Sequence, residues 1–219
     1  MELYGPCVKA REGTSVGSGT SESVGSLLAT FSTALEARDP YLRGHTARVT
    51  SFAEGLARKL GWAGERLDVL RLGGSLHDVG KIAVSPRVLQ KPGPLTDEEL
   101  AQIRRHPVTG ARLVECFDDF EPALPYVLHH HEHWDGSGYP HGLSGETIPV
   151  EGRLLGVADA FDAMTSKRAY RAALSVDEAL RELERCAGTQ FDPELAETFV
   201  DGWYCGEIES HVRPIGIAS

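Results

Sequence analysis

Between Val49 and Leu60 the large apolar residues recur with a helical period. Val49, Phe52, Ala53, Leu56 and Leu60 fall at i, i+3, i+4, i+7 and i+11, one face of an α-helix and not the two-residue alternation of a strand. Leu27, Leu28, Phe31 and Leu35 share a face before it, and Leu67, Leu70 and Leu76 continue the pattern after it. Thr96 with Glu99, and Ser175 with Glu178, have the spacing of capping boxes. Pro107 suits the first turn of a helix. Asp192-Pro193 reads as an N-cap and first helical residue, with Leu195, Phe199 and Trp203 behind it. No alternation of period two runs longer than four residues. The pattern predicts an all-α bundle without internal repeats.

The first 25 residues break from this pattern. GTSVGSGTSESVGS is rich in glycine and serine and poor in large apolar side chains, so it buries too little surface to offset its ordering entropy. The composition predicts a flexible tail or linker over 1–25, a folded domain over 26–205 and a C-terminal extension over 206–219. With 22 basic and 32 acidic residues the net charge is −10, which argues against a nucleic-acid polymer or an anionic membrane as partner. No apolar run approaches the ~18 residues of a membrane span, and MELYGPCVKAREG lacks the apolar core of a signal peptide. A cytoplasmic location is expected. The four cysteines fit neither a CxxC metal pair nor a disulfide framework and are expected to be reduced thiols.

Imidazole is concentrated beside these helices. His45 sits on the Val49–Leu60 helix, His77-Asp78 ends the next one with Lys81 one turn later, His106 stands at a helix boundary, and HHHEHWDGSGYP occupies residues 129–140. Asp159 and Asp162 lie in the apolar stripe LLGVADAFDAM. Each has an ordinary reading when taken alone, as a helix end or a solvated side chain. Asp159 is the hardest to read so, because a buried, unpaired carboxylate is costly. Imidazole and carboxylate are the ligands that borderline divalent metals prefer, and a helical bundle can hold two such ions between its inward faces. His129, Glu132 and His133 fit a structural role, and His141 and His211 the surface.

HDVGK, KPGPLTDEE, HPVTG, HHEHWDGSGYPHGL and DAFDAMTSKRAYR occur in that order between about Asp39 and Pro193. Together with His45 they resemble the HD-GYP family of the HD metal-dependent phosphohydrolase superfamily. The resemblance implies a helical HD-domain bundle with a buried metal centre, filling the 26–205 domain. It also implies hydrolysis of cyclic di-GMP to linear pGpG, and on to GMP, by a water activated between two divalent metals. The implied metal ligands are His45, His77, Asp78, His106, His130, His131 and Asp159. Asp78 and Lys81 are the implied catalytic groups. If His77 and Asp78 continued a helix they would diverge by about 100° and could address neighbouring metals. Gly138, Tyr139, Pro140, Arg168 and Arg171 are implied to meet substrate: glycine permits close backbone approach, tyrosine offers a ring or hydroxyl, and arginine a fork for phosphate.

Some members of the family hold a third metal through a glutamate four residues before the position of His45. Tyr41 stands there in this chain, and a phenol is a poor substitute for carboxylate at neutral pH. Two ions are therefore expected, with His45 serving one of them or moving to an outer shell. Iron or manganese is favoured by the resemblance, while zinc, cobalt and nickel suit the same donors. Two divalent ions bring four positive charges before the ligand carboxylates subtract, so an acidic protein can still bind an anionic dinucleotide. Lys81 and a metal-held water both remain open as proton donor to the leaving O3′. The alternatives are a catalytically weak module that binds nucleotide or a partner such as a diguanylate cyclase, and an HD phosphohydrolase for another nucleotide. A sensory domain as partner and a homodimer are expectations by analogy.

Overall fold

The computed structural model describes residues 30, 33–39, 42–167 and 172–209. Among them there is no strand, only an isolated bridge between Ala187 and Phe191. The principal helices are α1 (His45–Lys59), α2 (Glu65–Leu76), α3 (Pro86–Leu89), α4 (Asp97–Ile103), α5 (His106–Val114), α6 (Leu124–His129), α7 (Val150–Thr165), α8 (Val176–Arg185) and α9 (Pro193–Tyr204). Short 3-10 turns cover Val79–Ala83, Asp118–Ala123 and Gly145–Thr147. No helix of the described residues is long and apolar enough to cross a membrane.

The local signals act as their chemistry requires. Both capping boxes form, at Thr96/Glu99 and Ser175/Glu178. Pro107 occupies the first turn of α5. The Asp192 side chain accepts from the Glu194 and Leu195 amides and also pairs with Arg153, which ties the start of α9 to α7. The Val49–Leu60 stripe faces inward, with Val49, Phe52, Ala53 and Leu56 at 3% exposure or less. Phe52 meets Phe161 of α7 edge-on at 5.1 Å, and Phe161 meets Phe199 of α9 at 5.0 Å. Each such ring contributes about 1.5–3 kcal/mol by leaving water.

A second apolar cluster joins Leu76, Val79, Val114, Phe120, Ala123 and Val127. Helices α2 and α6 supply both clusters, through Leu67, Leu70 and Tyr126 to the first and Leu76 and Val127 to the second. The seam between them is held tight by a backbone crossing. A Cβ at Gly80 would lie 2.0 Å from the His106 carbonyl oxygen and 2.5 Å from the Gly110 nitrogen. Only hydrogen at Gly80 lets the turn after Asp78 lie directly on α5.

Several expectations are corrected here. The helix read as ending at His77-Asp78 does end there, with Leu76 its last residue and His77 its still-helical C-cap, but Asp78 leaves helical geometry, with φ −97° and ψ 3° before the 3-10 turn. Their divergence is set by this break, not by a helical 100° step. Ile208, within the expected C-terminal extension, is 1% exposed and packs in the main core. The cysteines are not all reduced thiols. Cys116 takes part in a disulfide, Cys186 is free and buried, and Cys205 is free and exposed. Leu27, Leu28, Phe31, Tyr41, Arg168, Arg171, His211 and the 1–25 segment lie outside the described residues.

Candidate metal centre

Every ligand implied above reaches the seam from an element end or an inward face. His45 is the first residue of α1, and Asp159 lies within α7. His77 and Asp78 stand in the break after α2. His106 opens α5, and His130 and His131 follow the last turn of α6. Helix ends suit this task, because a side chain there can reach past its own cylinder.

Asp78 is the hub. Its Oδ2 lies 3.6 Å from the Nε2 of both His45 and His77, and its Oδ1 lies 3.3 Å from His106 Nε2. Asp159 Oδ1 is 3.4 Å from His45 Nε2. Two groups of donor atoms are close enough to hold an ion, one from His45, His77 and Asp78 and one from His106, His130 and His131.

The imidazole tautomers argue that these groups suit metal. His77 Nδ1 lies 2.8 Å from the Gly74 carbonyl oxygen, His106 Nδ1 2.8 Å from that of Ile103, and His130 Nδ1 3.0 Å from that of Tyr126. A carbonyl only accepts, so each Nδ1 must carry hydrogen. Burial pulls His106 down to about 4 and His131 to about 3, and pulls His130 well below the usual histidine value. His106 and His130 are therefore neutral at pH 7, with bare Nε2 atoms facing each other at 3.2 Å. Two lone pairs so placed repel unless a cation shares them. His77 Nε2 is likewise buried without a hydrogen-bond partner. The donor chemistry fits divalent metal.

His45 differs. Its Nδ1 lies 2.7 Å from Asp162 Oδ2, and Arg48 donates to both Asp162 oxygens, at 2.5 and 3.1 Å. Burial lowers the His45 pKa, but the carboxylates of Asp162, Asp78 and Asp159 together outweigh it and raise the group to about 9. The metal-free ring thus holds a proton at pH 7 that Nε2 must lose before it binds metal. Metal uptake at pH 7 should release about one proton per chain, with the release fading above pH 9. Calorimetry in two buffers of different ionisation enthalpy measures this, and no release at pH 7 would contradict His45 as a ligand.

The role of Asp162 as the carboxylate behind a ligand imidazole was missed from sequence, although it stands one turn after Asp159 and Arg48 stands one turn after His45. Spacing of i, i+3 was the available signal. Asp162→Asn should weaken metal binding by about 10–100-fold, the usual cost of losing such a partner. A chelator competition would read it, and affinity within about twofold of wild type would leave Asp162 as an anchor for Arg48 alone.

Lys81 Nζ lies 2.7 Å from Asp78 Oδ2. Burial pulls the Lys81 pKa down, but the Asp78 charge raises it above the ordinary lysine value, so the ammonium persists at neutral pH. Asp78 itself is pushed up by burial and down further by Lys81 and the surrounding histidines, ending well below the usual carboxylate range. A cavity of about 740 Å³ opens over His45, His106, His131, Asp159, Lys81 and Tyr139. Tyr139 stacks on His131 at 4.8 Å and 27°, and its amide donates to the His131 carbonyl at 3.0 Å. Gly138 lies so close to the preceding turn that a Cβ would sit 2.2 Å from the His133 nitrogen. Pro140 follows through a cis peptide. The buried Glu132 carboxylate accepts from the His141 and Leu143 amides at 2.8 and 3.0 Å.

Comparison with known proteins bears on this centre. Residues 29–195 match the HD domain family. The chain is 38% identical over 167 residues to a cyclic di-GMP phosphodiesterase of Thermotoga maritima, covering 75% of this chain and 45% of that protein. It is 38% identical over 177 residues to the cyclic di-GMP phosphodiesterase response regulator RpfG of Xanthomonas campestris, covering 80% and 47%. A 3'3'-cGAMP-specific phosphodiesterase of Vibrio cholerae is 35% identical over 179 residues, covering 81% and 34%. The chain thus spans less than half the length of these curated relatives. In fold it is similar to Bd1817, an HDG"Y"P protein of Bdellovibrio bacteriovorus, with a TM-score of 0.60 at 24% identity over 73% of this chain and 51% of that one.

Proposed function

Because the chain belongs to the HD-GYP family of HD-domain proteins, we propose that it is a metal-dependent phosphodiesterase that hydrolyses cyclic di-GMP to linear pGpG and on to GMP. The observation that carries this reading is the placement of Asp78 between two groups of imidazoles, from which His45, His106 and His131 line one open cavity together with Asp159 and Lys81. His45 and His77 would hold one ion, and His106, His130 and His131 the other, with Asp78 and Asp159 shared. Two divalent ions, iron or manganese by preference, would supply positive charge to the phosphodiester and make the attacking water acidic.

The chain's own groups do the rest. Lys81 offers an ammonium beside Asp78, placed to meet a phosphate oxygen or to give a proton to the departing O3′. Tyr139 presents a ring braced by His131 at the cavity edge. Gly138 keeps that edge close to the His131–His133 turn. Leu42, Val88 and Leu95 give the cavity an apolar wall against which a base can leave water. Arg168 and Arg171 are assigned to substrate by sequence alone. A sensory domain, a diguanylate cyclase and a second copy are proposed as partners on the same resemblance.

Some Vibrio cholerae relatives are named 3'3'-cGAMP-specific phosphodiesterases and others cyclic di-GMP phosphodiesterases, which makes 3'3'-cGAMP the second substrate reading. Manganese-loaded protein incubated with each cyclic dinucleotide, and followed by product chromatography, tests both. Linear pGpG from cyclic di-GMP supports the first, and turnover of 3'3'-cGAMP alone supports the second. Tight binding of cyclic di-GMP without product would make the chain a signalling module.

A further inference from the structure

We infer that His129, Glu132 and His141 form a separate, peripheral site for a divalent transition-metal ion, with zinc the best match to its donors. His129 ends α6, Glu132 lies in the next turn, and His141 follows Pro140. One donor atom from each of the three lies within 4.8 Å of the others. The His129 and His141 rings are 5.7 Å apart, and His141 Nδ1 is 3.9 Å from Glu132 Oε1. None of these three belongs to the two groups around Asp78.

Two features point to a ligand here. First, His129 Nδ1 is buried and has no hydrogen-bond partner, a condition that ordinarily costs about 1–3 kcal/mol. Among the described residues the only other imidazole nitrogen in that condition is His77 Nε2, in the central group. Second, the Glu132 carboxylate is already fixed. Its side chain is wholly buried, and each oxygen takes one backbone N–H, from His141 or Leu143. Each oxygen keeps a second lone pair, so the carboxylate can bind an ion without first being ordered. Two imidazoles and one carboxylate, with the exposed His141 leaving the remaining positions to solvent, make a three-ligand zinc set. An ion there would clamp residue 141 to the end of α6. It would therefore stiffen the loop that carries Tyr139 and Pro140 beside the cavity.

The test is zinc stoichiometry in the full chain. Chelator-treated wild type, His141→Ala and His129→Ala are dialysed against micromolar Zn(II), and zinc per chain is counted by elemental analysis. Each variant is expected to hold one ion fewer than wild type, and Asp78→Ala to keep the peripheral ion while losing the others. His141 is exposed, so its truncation leaves the packed core alone, and far-UV circular dichroism verifies the fold of each variant. Equal zinc in wild type and in folded His141→Ala overturns the proposal. So does loss of every bound ion in His141→Ala, since His141 would then support the central group instead.

Discussion

Asp78→Ala is expected to remove bound metal and hydrolytic activity together. Its two oxygens face three imidazoles, His45 and His77 from Oδ2 and His106 from Oδ1, so under the proposed sharing of Asp78 one truncation would weaken the binding of both ions. The loss of activity should exceed the roughly 10–100-fold that removal of an outer-shell partner costs. The same change strands Lys81, whose ammonium is paired with Asp78 at 2.7 Å. Elemental analysis and a turnover assay on the folded fraction read the outcome. A folded Asp78→Ala protein that keeps its central metals and its activity would show that Asp78 is not the shared ligand, and the proposed mechanism would fall with it.

Gly80→Ala should be the most damaging small substitution in the seam. The added Cβ meets the His106 carbonyl oxygen at 2.0 Å and the Gly110 nitrogen at 2.5 Å. Both are backbone atoms, which cannot step aside as a flexible side chain would. Overpacking costs about 1–3 kcal/mol, and with backbone on both sides the upper end is expected, which for a chain of this size lowers Tm by roughly 6–12 °C. The strain falls on the segment between Asp78 and His106, so metal affinity should drop as well. Gly61→Ala is the control. Its φ of +80° makes alanine unfavourable, but nothing lies within 4 Å of the added atom, and the penalty is about 1–2 kcal/mol. Thermal melts of the two variants, with and without manganese, separate steric from conformational cost. Equal melting temperatures would mean that the crossing at Gly80 relaxes freely.

Much of the helical architecture was legible in the apolar period. Val49, Phe52 and Leu56 are buried where the i, i+3, i+4 spacing placed them, because a helix has only one way to turn such a stripe toward the core. The capping boxes at Thr96 and Ser175 were equally legible, since a cap bonds within three residues of itself. The end of the helix at His77-Asp78 was legible too, but the backbone geometry of Asp78 was not: the turn after it lies against α5 at Gly80, a contact with residues far along the chain. The burial of Ile208 was not legible, because a single apolar residue in a polar tail has no period to announce it.

The candidate site divides along the same line. The residue types and their order, His45, His77-Asp78, His106, His130-His131 and Asp159, were set by the chain, and they announced metal chemistry because imidazole and carboxylate are its donors. Only the tertiary structure decided that Asp78 stands between the two imidazole groups, that Asp162 and Arg48 stand behind His45, and that His129 turns away from His130 and His131 toward Glu132 and His141. A sequence fixes what a side chain can donate or accept. Which partner it finds depends on how distant helices cross, and here those crossings are set by backbone contacts at glycine whose partners lie tens of residues away.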